Sequence, residues 1–166
     1  MVRKRKKRIP APFRVLTGIC FMVYLLLLIK LIVFKNPLEH SPLAAGTWSW
    51  DSVRAHLETA NFIPGHTIRL YLRHWERLGQ IAFANLVYNV VAFIPFGIAV
   101  PVLLDRRHSF WFTAVSGILF SVAIELTQLI TLLGECDIDD VILNGAGAVL
   151  GWLFFIAGKE LWHRLS

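Results

Sequence analysis

Four segments of this chain, about 13–34, 83–104, 110–133 and 141–157, are nearly free of charge and rich in Leu, Ile, Val, Phe and Ala. A run of roughly 18 or more such residues, wound as a helix, matches the hydrocarbon thickness of a bilayer. In lipid every backbone N–H and C=O must find a partner within the protein, so only helices and closed barrels span. Continuous runs of this length select the helix. The expected fold is all-α: an integral membrane four-helix transmembrane bundle. Composition agrees, with 56% of the 166 residues hydrophobic, above the roughly 45–50% of soluble domains. Residues 1–12 read as a basic cytoplasmic N-terminus and 13–166 as a single membrane domain.

The net charge of +6 does not point to nucleic acid, because six of the seventeen basic residues are packed into RKRKKR, Arg3–Arg8, just before the first apolar run. There they act as a cytoplasmic anchor and can touch anionic lipid. Arg106 and Arg107 fill the turn between the second and third runs, and Lys159 and Arg164 follow the fourth. All three clusters fall on one side of a four-span layout, which places both termini in the cytoplasm. A cleavable signal peptide is disfavoured, since Phe13–Phe34 exceeds a typical apolar signal core of ~7–15 residues. Cys20 lies inside the first run and Cys136 in a loop, so no disulfide joins them on this layout.

The connections 35–82 and 134–140 then face outward. The first is too long for a turn alone. SWDSVRAHLETAN reads as a short helix with Ser49 or Asp51 as its N-cap. HTIRLYLRHWERLG places Ile68, Leu72, Trp75 and Gly79 on one face and Arg69, Arg73 and Arg77 on another. That pattern suits an interfacial helix in the long outer connection, its arginines at headgroup level. The same arginines can instead meet a ligand carrying phosphate or carboxylate. His66 and His74 read as interfacial residues rather than ligands.

Polar side chains within the apolar runs are costly and need a reason. Asn85 and Asn89 share one face of the second run, Glu125 and Gln128 one face of the third, and Asn144, Gly147 and Gly151 one face of the fourth. Asp137 and Asp140 hang just outside them in GECDIDDVILNGAG. Asp140 can cap the last helix and aligns with Asn144 at i, i+4. The spacing permits one polar pocket open to the outside, with the acidic stretch as its rim. The plainer alternative is hydrogen bonding between helices by Asn and Gln, with the aspartates as caps.

Glu125 with Asp137 or Asp140 can divide acid and base roles, if burial raises one pKa and leaves the other ionised. The same carboxylates suit a hard divalent cation such as Mg²⁺ or Ca²⁺. No cofactor is identified beyond that open option, and no zinc motif, phosphate loop or serine elbow occurs.

The stretch IELTQLITLLGECDIDDVILNGAGAVLG, with NLVYNVVAFIPFG and NFIPGHTI upstream, resembles the VanZ-like family over roughly residues 61–157. The motif positions carried over are Asn85, Asn89, Pro95, Gly97, Glu125, Gln128, Asp137, Asp140, Asn144 and Gly147. The resemblance implies a multi-pass bacterial plasma-membrane protein acting at the outer face, associated with resistance to teicoplanin and related lipoglycopeptides. Its implied partners are the bilayer and a lipid-linked cell-wall precursor or lipoglycopeptide. Binding or sequestration, a hydrolase or transferase, and a small transporter all remain open, as does the oligomeric state. Family members often carry an arginine shortly before the first aspartate, where this chain has Gly134–Glu135–Cys136. Any anion-binding role in the turn would then fall to Arg69 or Arg73.

Overall fold

The computed structural model describes residues 11–33, 42, 45–104 and 110–165. The basic run Arg3–Arg8, the 105–109 turn with Arg106 and Arg107, and the predicted end of the first span at 34 lie outside the described residues. Six helices follow in order: α1 (Ala11–Val33), α2 (Trp50–Thr59), α3 (His66–Arg73), α4 (Trp75–Leu103), α5 (Phe110–Thr131) and α6 (Ile138–Leu165). Helices α1, α4, α5 and α6 are each long and apolar enough to cross a membrane.

Helix ends follow local chemistry. Ser49 is the N-cap of α2, its Oγ accepting the Ser52 N–H at 3.1 Å, which satisfies one orphan donor of the first turn. Predicted as one helix, 66–79 instead breaks at His74, whose φ of −106° leaves the helical range. Trp75–Gly79 thereby joins the second span, and α4 begins eight residues before the expected 83. Helix α5 stops in a left-handed turn: Leu132 has φ 57°, and the Leu133 N–H reaches back to Gln128 O at 3.3 Å. This is the pattern that usually employs glycine.

Helix α6 starts at Ile138, three residues before the expected 141. Its cap is Asp137 rather than Asp140: Asp137 Oδ1 accepts the Asp139 N–H at 2.8 Å, the second amide of the helix.

Directions can be read from paired contacts. Gly147 lies against Val90 O and Gly151 against Ile94 O, so α4 and α6 run parallel. Arg14 Nη2 donates to Leu103 O at 2.6 Å and Tyr24 Oη to Ala92 O at 2.6 Å, so α1 runs antiparallel to α4. Ser121 meets Asn144 and Phe110 meets Trp152, so α5 runs antiparallel to α6. One end of the bundle thus gathers the start of α1 and α5 with the finish of α4 and α6. The opposite end gathers α2, α3 and the acidic turn.

The α4–α6 seam is a backbone-to-backbone contact. A Cβ on Gly97 would collide with Ala148 O, on Gly147 with Val90 O, and on Gly151 with Ile94 O. Small residues allow this approach in lipid, where packing and not water exclusion drives helix association. Beside the seam, Phe93, Phe96 and Phe120 pack with Phe21 of α1. The Phe96 and Phe120 rings stack at 5.6 Å.

Candidate functional site

At the α2–α3 end, the turn between α5 and α6 is tied to the long connection by a short parallel bridge. The Asn61 N–H donates to Cys136 O and the Ile138 N–H to Asn61 O, each at 2.9 Å. Side chains then close the same junction. Asn61 Nδ2 donates to Asp137 Oδ1 at 2.8 Å, and Thr67 Oγ1 to Asp137 Oδ2 at 2.5 Å. The carboxylate of Asp137 therefore holds α3 and the 61–64 turn onto the start of α6.

Asp139 does the same from the other side. Fully buried, it accepts the Gly65 N–H at 2.5 Å and the Ile68 N–H at 3.1 Å. Gly65 precedes α3 with φ 75° and offers no side-chain cap. Asp139 supplies one from a distant part of the chain, a carboxylate at the positive end of a helix.

Beneath this knot lie the polar groups of the spans. Glu125 is 3% exposed, and its Oε2 accepts the Asp137 N–H at 2.9 Å. Asn89 Nδ2 donates to Asp140 Oδ1 at 2.6 Å. One turn deeper, Asn144 Nδ2 donates to Ser121 Oγ at 2.8 Å, with both residues buried. Asn144 Oδ1 is buried and has no hydrogen-bond partner among the described residues. Gln128 is buried and lies against Gly134.

The thiol of Cys136 sits beside the same acids. Burial pushes its pKa up, and the negative charges of Glu125, Asp137 and Asp140 push it further. Cys136 and Cys20 are both free.

Most of the residues singled out by sequence come together here: Asn89, Glu125, Gln128, Asp137, Asp140 and Asn144. Asn85 Nδ2 donates to Tyr71 Oη at 2.7 Å, which pins α3 to α4. Arg69 turns back on its own helix, donating from Nε to Gly65 O at 3.0 Å, and Arg73 is exposed. Neither takes the place of the missing turn arginine. Gly134 itself has no room for a side chain, because a Cβ there would run into the Gln128 amide.

Asn61, Thr67, Ser121 and Asp139 join the site without a sequence signal that marks them. The first two sit in NFIPGHT, where NFIPG reads as a loop, and nothing in the spacing separates Asp139 from its neighbours Asp137 and Asp140. As for a cation, no group of three His, Cys, Asp or Glu side chains suited to a metal ion occurs among the described residues. Asp137 and Asp139 already direct both oxygens at protein donors.

An all-helical chain with four candidate spans, its acidic turn laced to an interfacial helix over a buried glutamate, defines a class of small polytopic membrane proteins. The family model described as VanZ/LLP1 matches residues 21–162. The chain belongs to that family. No curated protein and no solved structure matches it.

Proposed function

We propose that this protein binds the polar part of an amphiphilic envelope ligand, a lipid-linked cell-wall precursor or a lipoglycopeptide, at the Glu125–Asp140–Asn89–Asn144 cluster. The cluster end faces outward from a bacterial plasma membrane and both termini are cytoplasmic, in keeping with the basic residues at the other end. The observation that carries this reading is Glu125, an ionisable side chain 3% exposed within a span and set among hydrogen-bonding groups from three helices. Such a group is expensive as mere glue. Asn144 Oδ1 adds a buried acceptor open to a donor from outside the described residues. Asp137 and Asp139 are the frame of this site rather than its working groups.

The test is teicoplanin susceptibility of a sensitive bacterium expressing the wild type, Glu125→Gln, Asp140→Asn or Asn89→Ala at matched membrane levels. The wild type is expected to raise the inhibitory concentration severalfold and Glu125→Gln to abolish the gain. Wild-type expression without effect, or Glu125→Gln and Asp140→Asn both as active as wild type, overturns the reading.

A second reading, a membrane-embedded hydrolase or transferase, pairs Glu125 with Asp140 as acid and base. Asp137, whose oxygens accept from Asn61 and Thr67, suits a supporting role in this reading better than Asp140 does. This reading predicts that Glu125→Gln still binds a labelled lipoglycopeptide while the phenotype is lost. The transporter reading is the third, since four spans offer limited room for alternating access unless the protein oligomerises.

A further inference from the structure

The outer connection, 35–82, carries four arginines, Arg54, Arg69, Arg73 and Arg77, and one lysine, Lys35, which directly follows the first apolar run. The basic run at 3–8, by contrast, mixes three lysines with three arginines. All four arginines of the connection are exposed. None of them is ion-paired among the described residues, although Asp51, Glu58 and Glu76 lie in the same stretch.

On the sidedness proposed above, on which this inference rests, these arginines sit on the face where basic residues are normally scarce. Positions that oppose the topology signal need another reason to be basic. Four arginines to one lysine favour a phosphate partner: the planar fork of arginine matches phosphate oxygens in pairs, whereas an ammonium is a strongly hydrated point charge.

The surroundings fit a lipid rather than a dissolved anion. Arg69 and Arg73 project from α3 one turn apart. Leu70, Leu72 and Trp75 are 41%, 59% and 46% exposed, and Phe62 and Ile63 in the preceding turn are 58% and 61% exposed. Apolar groups beside uncompensated arginines make a surface that is half acyl-chain, half headgroup in character. Its orientation is fixed. Asp139 and Thr67 hold the first turn of α3 to α6, and Tyr71 holds it to Asn85 of α4. Helix α3 is therefore anchored on its inner side while its arginines stay outward.

We propose that Arg69, Arg73 and Arg77 form a surface that recruits phosphate-bearing anionic lipid headgroups in preference to zwitterionic ones.

The test uses the full chain in nanodiscs of phosphatidylcholine, carrying a fluorophore on Leu70→Cys with Cys20→Ser and Cys136→Ala. A minor fraction of doxyl-labelled phosphatidylglycerol, or of doxyl-labelled phosphatidylcholine, serves as quencher. Quenching by the anionic lipid is expected to exceed that by the zwitterionic one by about threefold or more. The excess should disappear in Arg69→Gln/Arg73→Gln/Arg77→Gln. All three side chains are exposed, and among the described residues only Arg69 makes a side-chain hydrogen bond, to its own helix, so this variant is expected to keep the fold. Equal quenching by the two lipids in the parent protein overturns the proposal, as does an excess that survives the triple substitution. Both leaflets of the disc carry the quencher, and the label reports on neither Glu125 nor sidedness, so failure here is distinct from failure of the polar-site reading.

Discussion

Asp139 and Gly65, 74 positions apart in sequence, are joined by a hydrogen bond of 2.5 Å from the Gly65 N–H to Asp139 Oδ1. A cap of this kind is ordinarily local, one residue stabilising the helix it begins. Here the cap of α3 belongs to the first turn of α6, so an interfacial helix and a membrane-spanning one depend on a single carboxylate.

Asp139→Ala removes both acceptors and strands the amides of Gly65, just before α3, and of Ile68 within it. It should destabilise the protein by about 1–3 kcal/mol. Limited proteolysis should then cut the 60–75 connection faster than in the parent protein. Asp139→Asn, which keeps one acceptor, should fall between them. Thermal unfolding in detergent with parallel protease digestion checks this; an unchanged digestion pattern in Asp139→Ala would show that α3 is held without the staple.

At the seam, Gly151→Ala or Gly97→Ala forces a methyl into a facing backbone group, Ile94 O or Ala148 O. Overpacking of this kind costs typically ~1–3 kcal/mol, and more where backbone cannot yield. Gly158 is the internal control, with nothing within 4 Å of its added Cβ. Gly158→Ala should be neutral or stabilising by up to ~1 kcal/mol through helix propensity. Comparing the unfolding midpoints of the three variants decides the matter.

Tyr24 ties α1 to the rest of the bundle through its hydroxyl on Ala92 O at 2.6 Å. Tyr24→Phe keeps the ring and its packing on Phe21 but removes that bond. A loss of roughly 0.5–1.5 kcal/mol is expected, the usual net worth of one hydrogen bond. An inactive but well-folded Tyr24→Phe would instead place α1 in the functional machinery.

Cys136 gives a pH signature. Folding favours its neutral thiol, because burial and the neighbouring carboxylates raise its pKa above the ordinary 9.0. That contribution is fully present below the unfolded pKa and is lost as pH rises through the folded one. In a Cys20→Ser background, stability should therefore decline above about pH 9, and less steeply once Cys136→Ala is added. Near neutral pH, maleimide should label Cys136 far more slowly in the folded protein than after denaturation in detergent.

The bundle was legible because hydropathy reports on lipid, a uniform solvent that every span must meet. Glu125, Gln128 and Asn144 stood out for the same reason: polar groups are conspicuous against that background. Helix starts were harder. Trp75–Gly79 has both an interfacial and a spanning character, and only the turn at His74 assigns it to α4. The division of labour among the aspartates was hidden altogether. Asp137, Asp139 and Asp140 are near neighbours in sequence, yet their roles depend on partners brought from 61–68 and from Asn89. The pairing of Asn144 with Ser121 was likewise invisible, since nothing in either segment names the other.

The glycine contacts between α4 and α6 also limit how a guest can arrive. Two rods whose main chains touch behave as one beam, and no hydrocarbon tail can part them without breaking the seam at Gly97, Gly147 and Gly151. On the proposed reading, a ligand that reaches Glu125 from the bilayer therefore does so by a route other than between α4 and α6.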